Sequence, residues 1–281
     1  MTESSTRIHP FPSGFGAWAD HDVTRPLSAA DVQEITDAFH KHLFVLFRGA
    51  DLSIPQLATF IDAFGTHDTP TGRLATAVNG YAGIRVVENV ERSKFGPRSN
   101  SELHWHSDRF YDPVVAGLLC SVVVPEIGGD TSLVDMCRAY DELPEDLRKA
   151  IEGRTIRQDC LFGEDGQPRM RPGGVRVDDV VNSVGIETPI VQVRRHTWRK
   201  YLYLGNRLNS YIPSLSLAES EALLDRLFEH IDQPHLQYRH HWSPHQLMFY
   251  DNRCCMHRRE SFDADAQRKL YASVVADSLI L

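Results

Sequence analysis

Apolar residues recur at helical spacing in two stretches near the N-terminus. Val32, Ile35, Phe39 and Leu43 follow Ser28 and Asp31, a pair spaced like a capping box, so a helix is expected there. Leu57, Phe60, Ile61 and Phe64 form a second stripe, bracketed by Pro55 near its start and Gly65 at its end. Another capping pair, Ser216 and Glu219, precedes a helix ending near His230, and residues 144–151 form a short helix stopped by Gly153. Apolar and β-branched runs at 43–47, 114–124, 200–204, 236–239, 247–250 and 269–275 read as strands. Gly128-Gly129-Asp130 reads as a turn. Helices cluster early and strands dominate the later region. That order predicts a mainly β fold, a sandwich or barrel with flanking helices, and not a βαβ alternation.

No linker, repeat or low-complexity stretch divides the 281 residues, so one domain spanning 1–281 is expected. Its one long irregular segment lies around residues 160–187, where 163–182 is rich in Gly, Pro, Arg and Asp and reads as a lid or insertion loop. Hydrophobic residues make up 42% and charged residues 24%, enough apolar content for a sizeable core. A net charge of -8 and a pI near 5.9 argue against nucleic acid or an anionic membrane as partner. No apolar run approaches the ~18 residues of a membrane span, and the polar stretch Met1 to Pro10 does not read as a signal peptide. The five cysteines (Cys120, Cys137, Cys160, Cys254, Cys255) lack CxxC spacing and fit reduced thiols in a cytoplasmic protein.

Candidate chemistry concentrates in His106-Ser107-Asp108, with His257 far downstream. Two histidines and a carboxylate are the ligand set that holds iron(II) and leaves coordination positions open. A second tripeptide of the same form, His230-Ile231-Asp232, falls in a predicted helix. Residues i and i+2 share a face on a strand but stand about 200° apart on a helix, so only the first pair can converge on one ion. A hydrogen-bonded His–Asp pair is the ordinary alternative. The third ligand stays open at this level: His240, His241 and His245 precede a strand, and His257 follows Asp251-Asn252-Arg253. His104 forms an i, i+2, i+4 row with His106 and Asp108, so a three-histidine centre of His104, His106 and His257 is a further possibility.

Arg268 begins a strand in which Arg268, Leu270, Ala272 and Val274 share one face, which turns the guanidinium toward the core. A buried guanidinium is costly unless paired. A carboxylate is its natural partner, either a structural Asp or Glu or a bound dicarboxylate.

Taken together, these motifs resemble the taurine dioxygenase family. Trp105-His106-Ser107-Asp108, Val122-Val123-Val124-Pro125 with Gly128-Gly129-Asp130-Thr131, and Asp251-Asn252-Arg253 with His257 and Arg268 follow its order and spacing. Val134-Asp135-Met136, Ala139-Tyr140-Asp141 with Leu143-Pro144, and Tyr238-Arg239-His240 with Trp242 are similar to 2,4-dichlorophenoxyacetate dioxygenase-like members. The resemblance runs from His9-Pro10 almost to the C-terminus. It implies a double-stranded β-helix (jelly roll) and an iron(II)- and 2-oxoglutarate-dependent dioxygenase that oxidises a C–H bond of a small organic substrate. By position it implies His106, Asp108 and His257 as iron ligands, and Thr131 and Arg268 as the grip on 2-oxoglutarate, with O2 as the second co-substrate. It makes His104 a neighbour, Trp105 a packing residue, and Asp251-Asn252-Arg253 an ordering turn before His257. A homo-oligomer is expected because family members are commonly oligomeric. The competing functions are a cupin-like metalloenzyme without 2-oxoglutarate and a non-catalytic jelly-roll binding protein.

The chain departs from the family at three positions. Members acting on sulfonates or aryloxy acids generally carry a second arginine four residues after the 2-oxoglutarate arginine, where this chain has Ala272. Arg73, Arg171 or Arg259 could reach the same pocket instead. Glu102, near where relatives contact substrate, pairs with Ala272 in a reading toward a neutral or amine substrate, against a solvated loop glutamate. Tyr250 stands where many relatives have tryptophan, which reads as a packing substitution.

Overall fold

The computed structural model describes residues 6–67, 78, 81, 83–89, 100–163, 166–169, 179–278 and 280–281. In chain order come β1 (Arg7–Pro10), β2 (Ala17–Asp20), α1 (Ala29–His42), β3 (Phe44–Phe47), α2 (Ile54–Asp62), β4 (Thr66–His67) and β5 (Arg85–Glu88). Next are β6 (Leu103–His106), β7 (Ala116–Val123), β8 (Thr131–Asp135), α3 (Met136–Asp141), α4 (Glu145–Ile151), β9 (Thr155–Gln158), β10 (Ile186–Pro189) and β11 (Val191–Val193). The last third holds β12 (Lys200–Leu202), β13 (Ser210–Tyr211), α5 (Leu217–Ile231), β14 (Gln237–His240), β15 (Leu247–Asp251), β16 (Cys255–Arg259) and β17 (Lys269–Asp277).

Eight strands form a large sheet in the order β1-β2-β3-β15-β7-β17-β4, with β5 also on β17. A smaller sheet runs β14-β8-β16-β6. Among the described residues, every pairing within these sheets is antiparallel save β2 with β3. The two sheets face each other as a jelly roll, in line with the expected mainly β architecture. The large sheet is apolar on both faces, which explains why its central strands read as unbroken hydrophobic runs. On β3 and β15, Val45, Phe47, Leu247 and Phe249 join a core under the helices, while Phe44, Leu46, Met248 and Tyr250 join the core between the sheets. Phe39 of α1 and Phe64 just after α2 pack on Phe249 with ring centroids 5.0 and 4.8 Å away.

The expected helices form, and the Ser28 and Ser216 capping boxes are both closed. Leu43 is not a strand residue: it takes a left-handed backbone (φ 70°), and its N–H returns to Phe39 O at 2.9 Å to end α1. Sequence patterning misses β8 and β16. Thr131–Asp135 is buried at every position, so it shows no alternation, and Cys-Met-His-Arg-Arg is poor in β-branched residues. Both are central strands of the small sheet, and they carry two of the candidate site residues. Within the loop expected around 160–187, residues 164–165 and 170–178 lie outside the described residues; so do Arg73 and Arg171. None of the five cysteines forms a disulfide. Among the described residues no helix is long and apolar enough to cross a membrane.

Candidate metal centre and co-substrate site

His106 closes β6 and His257 lies in the middle of β16, and the antiparallel register sets them directly opposite each other. Their ring centroids are 4.2 Å apart. Asp108 completes the group: one ligand atom from each of the three lies within 4.8 Å of the others, and no other such cluster occurs among the described residues. His106 Nδ1 lies 2.8 Å from His104 O, which fixes the ring and leaves Nε2 to face the cluster. His104 is exposed and contributes this carbonyl, not its ring.

Asp108 reaches the cluster by a route the strand argument does not describe. β6 ends at His106, Ser107 N–H bonds Gly205 O at 3.0 Å, and Asp108 sits in the turn after it. The alternation therefore accounts for His106 alone. Asn252 builds the turn instead: its side-chain oxygen accepts the Asp108 N–H at 2.7 Å and its amide donates to Asp108 O at 2.9 Å. So this asparagine orders the Asp108 turn, where it was expected to serve only the turn before His257. Its neighbour Asp251, fully buried, is held by Arg194 and Arg253 at 2.9 Å each.

Tyr250 is more than a packing substitution. Its hydroxyl donates to Asp108 Oδ2, and its ring lies 5.2 Å from that of His257. Gly117, its partner on β7, makes room for it: a Cβ there would fall 2.2 Å from Tyr250 Cζ. Burial, then the adjacent carboxylate, pushes the phenol well above its ordinary range, so it remains a donor.

The protonation states suit a metal. Burial, with a further push from His106, lowers His257 to about 3, so the ring is a neutral donor near pH 7. For Asp108 burial opposes ionisation, but His257, Arg85 and His106 outweigh it and hold the carboxyl below its ordinary value. A neutral imidazole and a carboxylate are the forms a divalent ion binds.

Arg268 is 4% exposed, and among the described residues no carboxylate lies within ion-pair distance of it. Its Nε donates to Gly129 O at 3.1 Å. Among the described residues, the structural salt bridge considered for this arginine is not formed. Burial, and then repulsion from Arg259, lowers it to about 9, as expected for a cation lacking its anion. Gly129 has φ +69°, and a Cβ there would meet Arg268 Cδ at 3.1 Å, so the close approach requires glycine. Thr131, two residues on, is buried, and its Oγ1 accepts from Trp242 Nε1 at 2.9 Å. That leaves the hydroxyl proton free to be donated to an acceptor in the site.

The remaining candidates separate cleanly. His230 lies in α5 with Nε2 2.8 Å from Ala139 O, and Asp232 caps that helix and accepts from Trp105 Nε1 at 2.8 Å. Trp105 is thus a packing residue on the face away from His106. His240 packs on Trp242, His241 bonds Asp130 at 2.9 Å and His245 lies 3.2 Å from Asp51. Glu102 is exposed in the loop before β6, and Ala272 is buried on the inner face of β17. Arg259 donates to the Ser101 carbonyl and lies over Phe262. One residue here escapes the sequence reading altogether: Arg85 on β5, whose Nη2 is 3.6 Å from Asp108 Oδ1.

The chain is 29% identical to the alpha-ketoglutarate-dependent 2,4-dichlorophenoxyacetate dioxygenase of Cupriavidus pinatubonensis, covering 100% of both chains. It is 30% identical to the enzyme of the same name from a Burkholderia species, covering 96% of this chain and 93% of that one. The crystal structure of AAD-2 in complex with Mn(II) and N-oxalylglycine superimposes with a TM-score of 0.80 at 26% identity, covering 99% of this chain and 98% of that one. Residues 7–273 match the model of the family described as taurine catabolism dioxygenase TauD, TfdA family, and the chain belongs to that family.

Proposed function

We propose that His106, Asp108 and His257 hold iron(II), and that Arg268 and Thr131 bind the distal carboxylate of 2-oxoglutarate. The single observation that carries this reading is Arg268, a buried guanidinium without a carboxylate partner among the described residues, beside a fold end that gathers two imidazoles and a carboxylate. A bidentate carboxylate would satisfy it, and Thr131 can donate a further hydrogen bond. The three-histidine alternative loses its basis because the His104 ring is outside the cluster.

The protein is an iron(II)- and 2-oxoglutarate-dependent dioxygenase acting on a small organic substrate. Bound iron, 2-oxoglutarate and O2 supply the oxidising chemistry: 2-oxoglutarate leaves as succinate and CO2, with one oxygen atom going to succinate and the other available to the substrate C–H bond. The chain's own residues prepare that event. Asn252 fixes the Asp108 backbone and Tyr250 holds one carboxylate oxygen, so the ligand geometry is set before any ion arrives. The His104 carbonyl aims His106. The mainly apolar core between the sheets excludes water behind the site. We place the enzyme in the cytoplasm, in keeping with five cysteines that form no disulfide.

A panel of organic acids, sulfonates, sulfate esters and amines, followed by succinate release with uncoupled turnover subtracted and products verified by mass, tests the assignment. Substrate-dependent succinate formation that disappears in His257→Ala supports it. Turnover that persists in that variant contradicts it.

A further inference from the structure

Neither the metal ligands nor the grip on 2-oxoglutarate includes Arg85. It stands on β5 directly opposite Ala272 of β17, so the two side chains leave the sheet on the same face. Leu270 of β17 shares that face, which looks into the space between the sheets, and Arg268 immediately precedes the strand. The guanidinium comes within 3.6 Å of Asp108 Oδ1, an ion-pair separation too long for a hydrogen bond. The side chain is 28% exposed, which places it at the mouth of the site and not in the sealed core. Among the described residues it makes no hydrogen bond, so its five N–H donors are unspent.

Charge points the same way. The formal charges of iron(II), Asp108, the 2-oxoglutarate dianion and Arg268 cancel, so Arg85 remains as an added cation. An Asp108 engaged by a metal has little charge left to offer it, and Arg85 has no second protein partner among the described residues. The neighbouring arginines are already engaged: Arg109 with Asp112, and Arg259 with the Ser101 carbonyl. Ala272 also fits. A second arginine there would face Arg85 at a Cβ separation of about 4.5–5.5 Å and repel it, whereas alanine leaves room for one cation and its ligand.

We propose that Arg85 is the specificity-determining residue of this enzyme and anchors an anionic head group of the organic substrate, a carboxylate, sulfonate or sulfate ester. The inference rests on the proposed metal and co-substrate site. It replaces the expectation of a neutral or amine substrate drawn from Ala272 and Glu102, because the cation enters from β5 and not from β17.

Titration calorimetry on the full chain loaded with Mn(II) and 2-oxoglutarate tests it. The probes are phenoxyacetate against phenoxyacetamide, hexanesulfonate against hexanesulfonamide, hexyl sulfate, and hexylamine. At least one anion should bind about ten-fold or more tightly than the uncharged probes, and which one it is distinguishes the three head groups. Arg85→Gln should reduce that preference to near unity while 2-oxoglutarate still binds. The double variant Arg85→Gln/Ala272→Arg should recover it. No anion preference in the wild type, a preference unchanged in Arg85→Gln or abolished by Arg259→Gln in its place, or tighter binding of hexylamine than of every anion would overturn the proposal. The iron(II)–2-oxoglutarate absorption band, recorded on the same preparations, separates the two claims. Its presence beside such a result removes only the anchor, and its absence in the wild type removes the site reading beneath it.

Discussion

His106-Ser107-Asp108 and His230-Ile231-Asp232 have the same outline in sequence and opposite fates in the fold. The first histidine ends a strand, and its aspartate is swung inward by a turn that Asn252 and Tyr250 hold, so both converge with His257. The second histidine is buried in α5 against a backbone carbonyl, and its aspartate caps the helix and accepts from Trp105. One pair gathers its donor atoms into a cluster with His257, and the other spends them on structure. The contrast teaches that the backbone path after the histidine matters as much as the tripeptide itself: an imposed turn gathers ligands, and a helix end disperses them.

Removing the carboxylate from each pair should separate them most widely. Asp108→Ala should weaken Mn(II) binding, read by electron paramagnetic resonance, by about 100-fold or more, because a ligand is lost outright. Asp232→Ala should leave that binding within a factor of two or so. Comparable losses in both variants would erase the distinction.

Arg268→Met should give two effects of opposite sign. Affinity for 2-oxoglutarate should fall by about 100-fold, since a bidentate charge-assisted contact is lost. The ligand-free protein should melt at a higher temperature, because an uncompensated buried cation is replaced by an apolar side chain of similar length. A lower melting temperature would mean that Arg268 has a structural partner after all.

Tyr250→Phe probes the support beneath Asp108 and should weaken metal affinity by about ten-fold. The KM for 2-oxoglutarate should stay nearly constant, which a general loss of packing would not produce. His230→Gln, at the other pair, should cost about 1–3 kcal/mol of stability in a denaturant titration, with metal affinity preserved.

Much of the site is legible before the fold, and the limits have physical reasons. Motif order points to His106, His257, Thr131 and Arg268, while strand alternation, a local property, accounts for His106 alone. Asp108 joins them for a different reason, since its turn is dictated by Asn252, 144 residues away in sequence. Tyr250 is visible as a departure from relatives, yet its hydroxyl acquires meaning only when β15 and the turn after β6 meet. Arg85 leaves no trace in spacing. Its position opposite Ala272 depends on a register between β5 and β17 that no periodicity encodes. β8 is missed because a strand buried on both faces loses the alternation that betrays it, and β16 because it lacks β-branched residues.

The central claim is that His106, Asp108, His257, Thr131 and Arg268 assemble a site for iron and 2-oxoglutarate together. Anaerobic addition of iron(II) and then 2-oxoglutarate, followed by visible absorption spectroscopy, tests it most directly. A metal-to-ligand charge-transfer band should appear in the wild type and in Asp232→Ala, and should be missing in His106→Ala, Asp108→Ala and His257→Ala. Folded, iron-loaded wild type that shows no band, or a band that survives the loss of Asp108, would contradict the account.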